Sequence, residues 1–117
     1  MKLKMHGLES EWTEELRLHA DTRLRFALSR YSGKIGLVTV QILLITDARK
    51  VVLKTCRIAI RLLPRGKITV EQTELDIFAA LDHAADSAGR AVRRELDRER
   101  NNAPGSAFIR RTGGSRL

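Results

Sequence analysis

Cysteine is almost absent from this sequence. The chain of 117 residues holds only Cys56, and one thiol forms neither an internal disulfide nor a zinc site built from several cysteines. The three histidines, His6, His19 and His83, are far apart and show no metal-ligand spacing. The sequence therefore predicts a protein without a metal or other cofactor.

Long apolar runs, glycine and proline are also scarce. No run approaches the roughly 18 residues of a membrane-spanning helix, and the first residues lack the apolar segment and cleavage site of a signal peptide. We therefore expect a cytoplasmic protein with no membrane partner. Eight glycines and two prolines, against 43% hydrophobic residues, exclude collagen-like and low-complexity chains and favour one globular domain.

Motifs of catalysis are missing as well. The sequence has no glycine-rich phosphate loop and no serine-centred nucleophile elbow. His83, with Asp82 and Asp86 nearby, is typical of a polar helix face rather than an acid–base site. Cys56 alternates with isoleucines along a predicted strand, which indicates a core thiol rather than a nucleophile. The sequence thus predicts a protein that is not an enzyme and has no small-molecule substrate.

Alternating apolar and polar side chains predict four β-strands. The second and third strands are the longest, and Asp47 to Lys50 form a short hairpin connection between them. The apolar residues of each strand fall on one face, so each strand should have one buried face. The predicted strands span 2–6, 35–46, 51–63 and 67–72.

Apolar residues at helical spacing predict two helices. The first begins after the capping residue Thr13 and ends at Ser32–Gly33. The second spans about 76–100. The last residues, 101–117, include three arginines and no acid, so we predict a flexible basic tail after a domain of residues 1–100.

The predicted order, β-α-β-β-β-α, belongs to the α+β fold class. Because every strand has one apolar face, both helices should cover the same side of one sheet. The first crossover should be right-handed, with the first strand parallel to the second, and the later strands then alternate in direction. We therefore predict a four-stranded mixed sheet with two parallel helices packed on one face and the other face open.

Positive charge is the strongest feature of the composition. The 22 lysines and arginines outnumber the 14 acidic residues and give a net charge of +8, which favours a polyanionic partner. Both predicted helices begin with acids and end with bases, so parallel helices would bring two basic halves to one end of the domain. Arginine suits such a surface because its guanidinium binds phosphate in a bidentate manner. The candidate RNA-binding residues are Arg23, Arg25, Arg30, Arg90, Arg93, Arg94 and Arg98.

Other interpretations of these charges stay open. Acids at the start of a helix and bases at its end are also what the helix dipole favours. The open face of the sheet, with Arg57 and Arg61, is a second candidate RNA surface. The chain has one tryptophan, one tyrosine and three phenylalanines, and none forms an exposed pair on a strand. Base stacking of the RNA-recognition-motif kind is therefore not expected, and binding should rest on phosphate contacts and shape.

Several segments resemble the ribosome hibernation-promoting factors, or ribosome-associated inhibitor A family. The similarity covers about residues 1–100. It is strongest in 23–31 (RLRFALSRY) and 76–82 (DIFAALD), and it includes Ala88-Gly89-Arg90 and Arg93-Arg94.

That resemblance implies both a fold of the same β-α-β-β-β-α order and a function. Members of the family bind the small ribosomal subunit on its interface side, where tRNA and mRNA would lie, and silence translation when growth slows. The implied partner is therefore 16S rRNA, and the implied role is ribosome hibernation in stationary phase or under stress. Because the tail is too short for the dimerisation domain of long family members, the chain resembles the short form and is expected to be a monomer. The family's basic helix positions match Arg23, Arg90, Arg94 and Arg98.

Two alternative functions also remain open. The α-β-β-β-α part is similar to double-stranded-RNA-binding domains, although the start of the last helix is acidic here and lysine-rich there. The other alternative is a protein-interaction module that does not bind RNA and self-associates through the open sheet face or an edge strand.

Overall fold

Residues 1–7 and 11–101 are described by a computed structural model. The elements follow the predicted order, and the first α-helix is followed directly by a 3₁₀ helix. The predicted tail lies outside the described residues except for residue 101, which closes the last helix. The elements are β1 Lys2–His6, α1 Glu14–Leu28, the 3₁₀ helix Ser29–Lys34, β2 Ile35–Thr46, β3 Val52–Leu62, β4 Lys67–Glu74 and α2 Ile77–Asn101.

The four strands form one mixed sheet in the order β1-β2-β3-β4. β1 is parallel to β2, and the other neighbouring strands are antiparallel. Val38, Val40, Ile58 and Ile60 face the helices and are fully buried, whereas Ala59, between the two isoleucines, lies on the open face. The predicted α+β class and the mixed sheet are confirmed.

The two helices run in the same direction across one face of the sheet. His19 contacts Asp82 and Arg23 contacts Asp86, and each pair is 63 positions apart in the sequence. A constant offset between contacting residues requires that the two helices run parallel. The predicted parallel arrangement is therefore confirmed, and the basic halves of both helices lie at one end of the domain.

Gly89 allows α2 to rest closely on α1. A Cβ atom at this position would lie 3.2 Å from the carbonyl oxygen of Ala27 and 3.7 Å from its Cβ atom. The first distance is tighter than ordinary van der Waals contact. A glycine inside a helix costs about 1 kcal/mol relative to alanine, and here the missing side chain makes room for the neighbouring backbone.

The end of α1 differs from the prediction. The helix ends at Leu28 rather than at Ser32–Gly33, and the chain then tightens into the 3₁₀ helix, a conformation common at the C-termini of α-helices. Tyr31 follows Ala27 at the spacing of an α-helix and is half-buried. The sequence pattern therefore continues past the point where the α-helix stops.

β4 continues to Glu74, beyond the predicted end at residue 72. Its last residues keep pairing with β3, and Thr73 lies opposite Thr55. Thr55 lies on the open face, where the sequence places it, but it is only 2% exposed. Its hydroxyl oxygen is 2.7 Å from that of Thr73, so this buried polar group is satisfied by a hydrogen bond between the strands.

Polar side chains cap the start of both helices. The Thr13 hydroxyl accepts a hydrogen bond from the backbone N–H of Leu16 at 3.1 Å, as the sequence predicts. The carboxylate of Asp76 accepts one from the N–H of Ala79, also at 3.1 Å. Such caps satisfy backbone donors that have no partner within the helix.

Cys56 is expected to be unreactive in the folded protein. The thiol is buried, and burial raises its pKa from 9.0 to about 12. Since the thiolate is the reactive form, an aromatic disulfide reagent at mildly alkaline pH should label folded protein far more slowly than protein in concentrated guanidinium chloride. The time course of absorbance measures both rates. Rapid labelling of the folded protein would contradict the burial of this thiol.

Candidate nucleic-acid interface

The described residues contain neither a metal cluster nor a helix that could span a membrane. No group of three or more His, Cys, Asp or Glu side chains among residues 1–7 and 11–101 is placed to hold a metal ion. Neither α1 nor α2 is long and apolar enough to cross a membrane. His83 does not join Asp82 and Asp86, because its Nδ1 lies 3.0 Å from the carboxylate of Glu74. The basic surface is therefore the candidate functional site among the described residues.

A network of charged side chains links α1 to α2. The Oδ1 atom of Asp82 lies 2.7 Å from Nε2 of His19 and accepts a hydrogen bond from Nε of Arg23 at 3.1 Å. Nη2 of Arg23 also donates to Oδ1 of Asp86 at 2.8 Å. Partial burial acts to raise the pKa of Asp82, but the hydrogen bonds and charges of His19 and Arg23 outweigh it and hold the pKa below its usual value. Asp82 is therefore charged at neutral pH.

Three of the seven predicted arginines are bound to carboxylates of this chain. Arg23 belongs to the network between the helices, and its side chain is 26% exposed. Nε of Arg25 lies 3.0 Å from Asp21, one turn earlier on α1. Nη2 of Arg98 lies 2.7 Å from Glu95 on α2. Part of the positive charge of these residues is thus compensated before any partner binds.

Three others meet in a groove of about 500 Å³ between the helices. Arg30 lines it from the 3₁₀ helix, and Arg90 and Arg93 line it from α2. Within residues 1–7 and 11–101, none of the three forms an ion pair with an acid, and Arg90 donates a hydrogen bond to Ser87 at 3.3 Å. Arg94 is exposed beside Arg93 but does not line the groove. The three guanidinium groups are therefore available to an anionic partner.

An exposed aromatic ring lines the same groove. Phe26 is 79% exposed, and the half-buried Tyr31 contributes a second ring to the lining. Neither ring was among the candidate RNA-binding residues, although both lie in the family-like segment 23–31. The available signal was the position of Phe26, which lies outside the buried residues of α1 but one helical turn before Arg30.

A second basic cluster lies on the open sheet face at the same end of the domain. Lys2, Arg61 and Lys67 occupy one row across the strands, and β2 begins there, directly after the 3₁₀ helix. Arg57 differs, because it forms an ion pair with Glu71 on the neighbouring strand. The sheet therefore offers fewer uncompensated arginines than the groove.

The fold and the groove define a class of small α+β domain, with a mixed sheet open on one face and two parallel helices that share a basic groove. The sequence model of the sigma 54 modulation protein / S30EA ribosomal protein family matches residues 3–100. The chain belongs to this family, which confirms the resemblance seen in the sequence.

Two solved structures share the fold. A ribosomal subunit interface protein from Coxiella burnetii is 15% identical, with a TM-score of 0.66, over 83% of this chain and 99% of that one. The N-terminal domain of Protein Y from Thermus thermophilus is 23% identical, with a TM-score of 0.57, over 80% of this chain and 94% of that one. No curated protein sequence matches this chain significantly.

Proposed function

We propose that this protein binds the small ribosomal subunit on its interface side, contacts 16S rRNA and blocks the path of tRNA and mRNA. In this role it acts in the cytoplasm as a hibernation factor that silences ribosomes in stationary phase or under stress. Membership of the S30EA family supports the proposal. The similar structure from Coxiella burnetii is described as a ribosomal subunit interface protein, which also supports it.

The observation that carries the proposal is the convergence of Arg30, Arg90 and Arg93 on one groove. Each guanidinium presents a planar set of donors that fits two phosphate oxygens at once. Contacts of this kind release counterions from the nucleic acid and favour a highly charged RNA surface as the partner.

The other predicted arginines take different roles within the same surface. Arg94 extends the groove's charge along α2. Arg23 is a positioning residue, because it holds Asp82 and Asp86 and thereby keeps the helices in register. Arg25 and Arg98 have to exchange a carboxylate for a phosphate when RNA binds. They therefore contribute less to the free energy of binding than the arginines of the groove.

Sedimentation with purified small subunits tests this function directly. The protein is expected to pellet with the subunit at low salt and to be released as salt rises, with a log–log slope of roughly −0.7 to −0.9 for each phosphate contact. Large subunits sedimented in parallel are the control. Binding that is absent at low salt, or equal on both subunits, would overturn the proposal.

A protein-interaction role is the second candidate, because the β2–β3 hairpin exposes apolar side chains. The pairing of β1 with β2 ends at Gln41. The exposed apolar residues of the hairpin follow Gln41 in the sequence, where β1 no longer covers the edge of β2. A dimer that persists at high salt in light scattering, together with no binding to subunits, would favour this candidate over the first. The exposed apolar residues of the hairpin are Leu44, Ile45, Val51 and Val52.

A further inference from the structure

No side chain among residues 1–7 and 11–101 covers the ring of Phe26. Its ring is 79% exposed and lines the groove, with Arg30 from the 3₁₀ helix and Arg90 from α2 on the same lining. A large apolar ring left in water among cations gains free energy when a flat partner covers it. The face of a nucleobase is such a partner, since every base stacks on aromatic side chains.

The groove is open to solvent and large enough for a single nucleotide. Its volume of about 500 Å³ falls within the usual range of small-ligand sites, about 300–1,000 Å³. Small residues form much of the lining, namely Ala27, Ser29 and Gly89. Gly89 also marks the close contact of the two helices, since a Cβ atom there would lie 3.2 Å from the Ala27 carbonyl oxygen.

The charge of the groove fits the phosphates on either side of a base. Asp86 is the one acid among the lining residues that the structure describes, and Arg23 binds its carboxylate at 2.8 Å. The negative charge that could repel a phosphate is therefore compensated from outside the groove. Arg30, Arg90 and Arg93 remain as donors around the aromatic ring.

We propose that this groove holds one unpaired nucleotide of RNA, whose base stacks on Phe26 while Arg30, Arg90 and Arg93 bind the adjacent phosphates. The proposal rests on the proposed rRNA binding and adds a preference that phosphate contacts alone do not produce. A paired base is stacked inside its helix and cannot reach the ring, so the site discriminates unpaired from double-stranded RNA.

Fluorescence anisotropy with two labelled RNAs tests the proposal: an oligoadenylate of about ten nucleotides and a duplex of the same length. Replacing Phe26 by Ala should weaken single-strand binding about ten-fold and leave duplex binding unchanged. Phe26→Tyr should restore it. Leu18→Ala is the matched control, because Leu18 is exposed on the same helix but does not line the groove.

A spectroscopic readout reports stacking itself. In a Phe26→Trp variant, oligoadenylate should quench the new indole, whereas the buried Trp12 of the wild-type protein should change little. Circular dichroism confirms that each variant is folded, which the exposure of Phe26 leads us to expect.

The outcomes separate this inference from the proposed function. If Phe26→Ala binds both RNAs as the wild type does, or weakens both equally, no base stacks in the groove and the inference fails. In that case, the sedimentation experiment with subunits alone decides whether the basic surface binds rRNA. If wild-type protein prefers single-stranded RNA through Phe26 but does not bind subunits, the inference holds and the ribosomal function fails.

Discussion

Replacing Arg90 and Arg93 together by Ala is expected to weaken binding to the small ribosomal subunit by about 100-fold or more at low salt, because each charged hydrogen bond contributes about 1.5–3 kcal/mol. Both side chains are exposed, so the fold should be unaffected. The log–log salt slope should flatten by about 1.5, since roughly 0.7–0.9 is lost with each phosphate contact. Sedimentation or anisotropy over a salt series measures both quantities.

The matched control is the Arg57→Ala, Arg61→Ala variant on the open sheet face, which loses the same formal charge. Arg57 already pairs with Glu71, so this variant should bind within a few-fold of the wild type. If the sheet variant loses binding and the helix variant keeps it, the RNA surface is the sheet. If neither changes, the subunit is not bound through either surface.

Gly89→Leu is expected to disrupt both the helix packing and the groove. Even a Cβ atom would lie 3.2 Å from the Ala27 carbonyl, and overpacking of this kind costs about 1–3 kcal/mol. The better helix propensity of leucine offsets about 0.8 kcal/mol of this cost, so the free energy of unfolding should fall by about 0.2–2 kcal/mol. Urea denaturation measures the loss, and subunit binding should weaken because separating the helices moves Arg30 away from Arg90 and Arg93.

Gly33→Leu is the control for the same chemical change. No neighbouring atom lies within 4 Å of a Cβ built at Gly33, and the residue is exposed in the 3₁₀ helix. Its stability and binding should match those of the wild type. If the two leucine variants were equally stable, α1 would have to shift at Ala27 with little cost. That result would contradict a tight contact between the helices.

The strands could be predicted from the sequence because each has one buried face. Val38 and Val40 alternate with polar or half-exposed neighbours, and β2 has the predicted bounds. The helix end was harder to predict, since Tyr31 keeps helical spacing through a 3₁₀ turn. The spacing of apolar residues indicates which side chains are buried. It is much less sensitive to the change from α-helical to 3₁₀ hydrogen bonding in the backbone.

The candidate site was predicted only in part, because its members come together across the fold. The basic ends of α1 and α2 followed from charge and topology. The pairing of Arg23 with Asp82 and Asp86 joins residues 59 and 63 positions apart, and no local pattern encodes it. Phe26 and Arg90 line the same groove from two different helices, and no local pattern encodes this arrangement either.

The parallel helices have a consequence for how the domain approaches an RNA. Acids lie at the start of the helices, with Glu14 in the first turn of α1 and Asp76 at the cap of α2. The uncompensated arginines lie towards the other end, with Arg30 after α1 and Arg90 and Arg93 on α2. A body whose charge is distributed unevenly between its two ends experiences a torque in the field of a polyanion, which turns the more basic end forward before contact. Fewer encounters are then misoriented, so added salt should slow association more than it speeds dissociation.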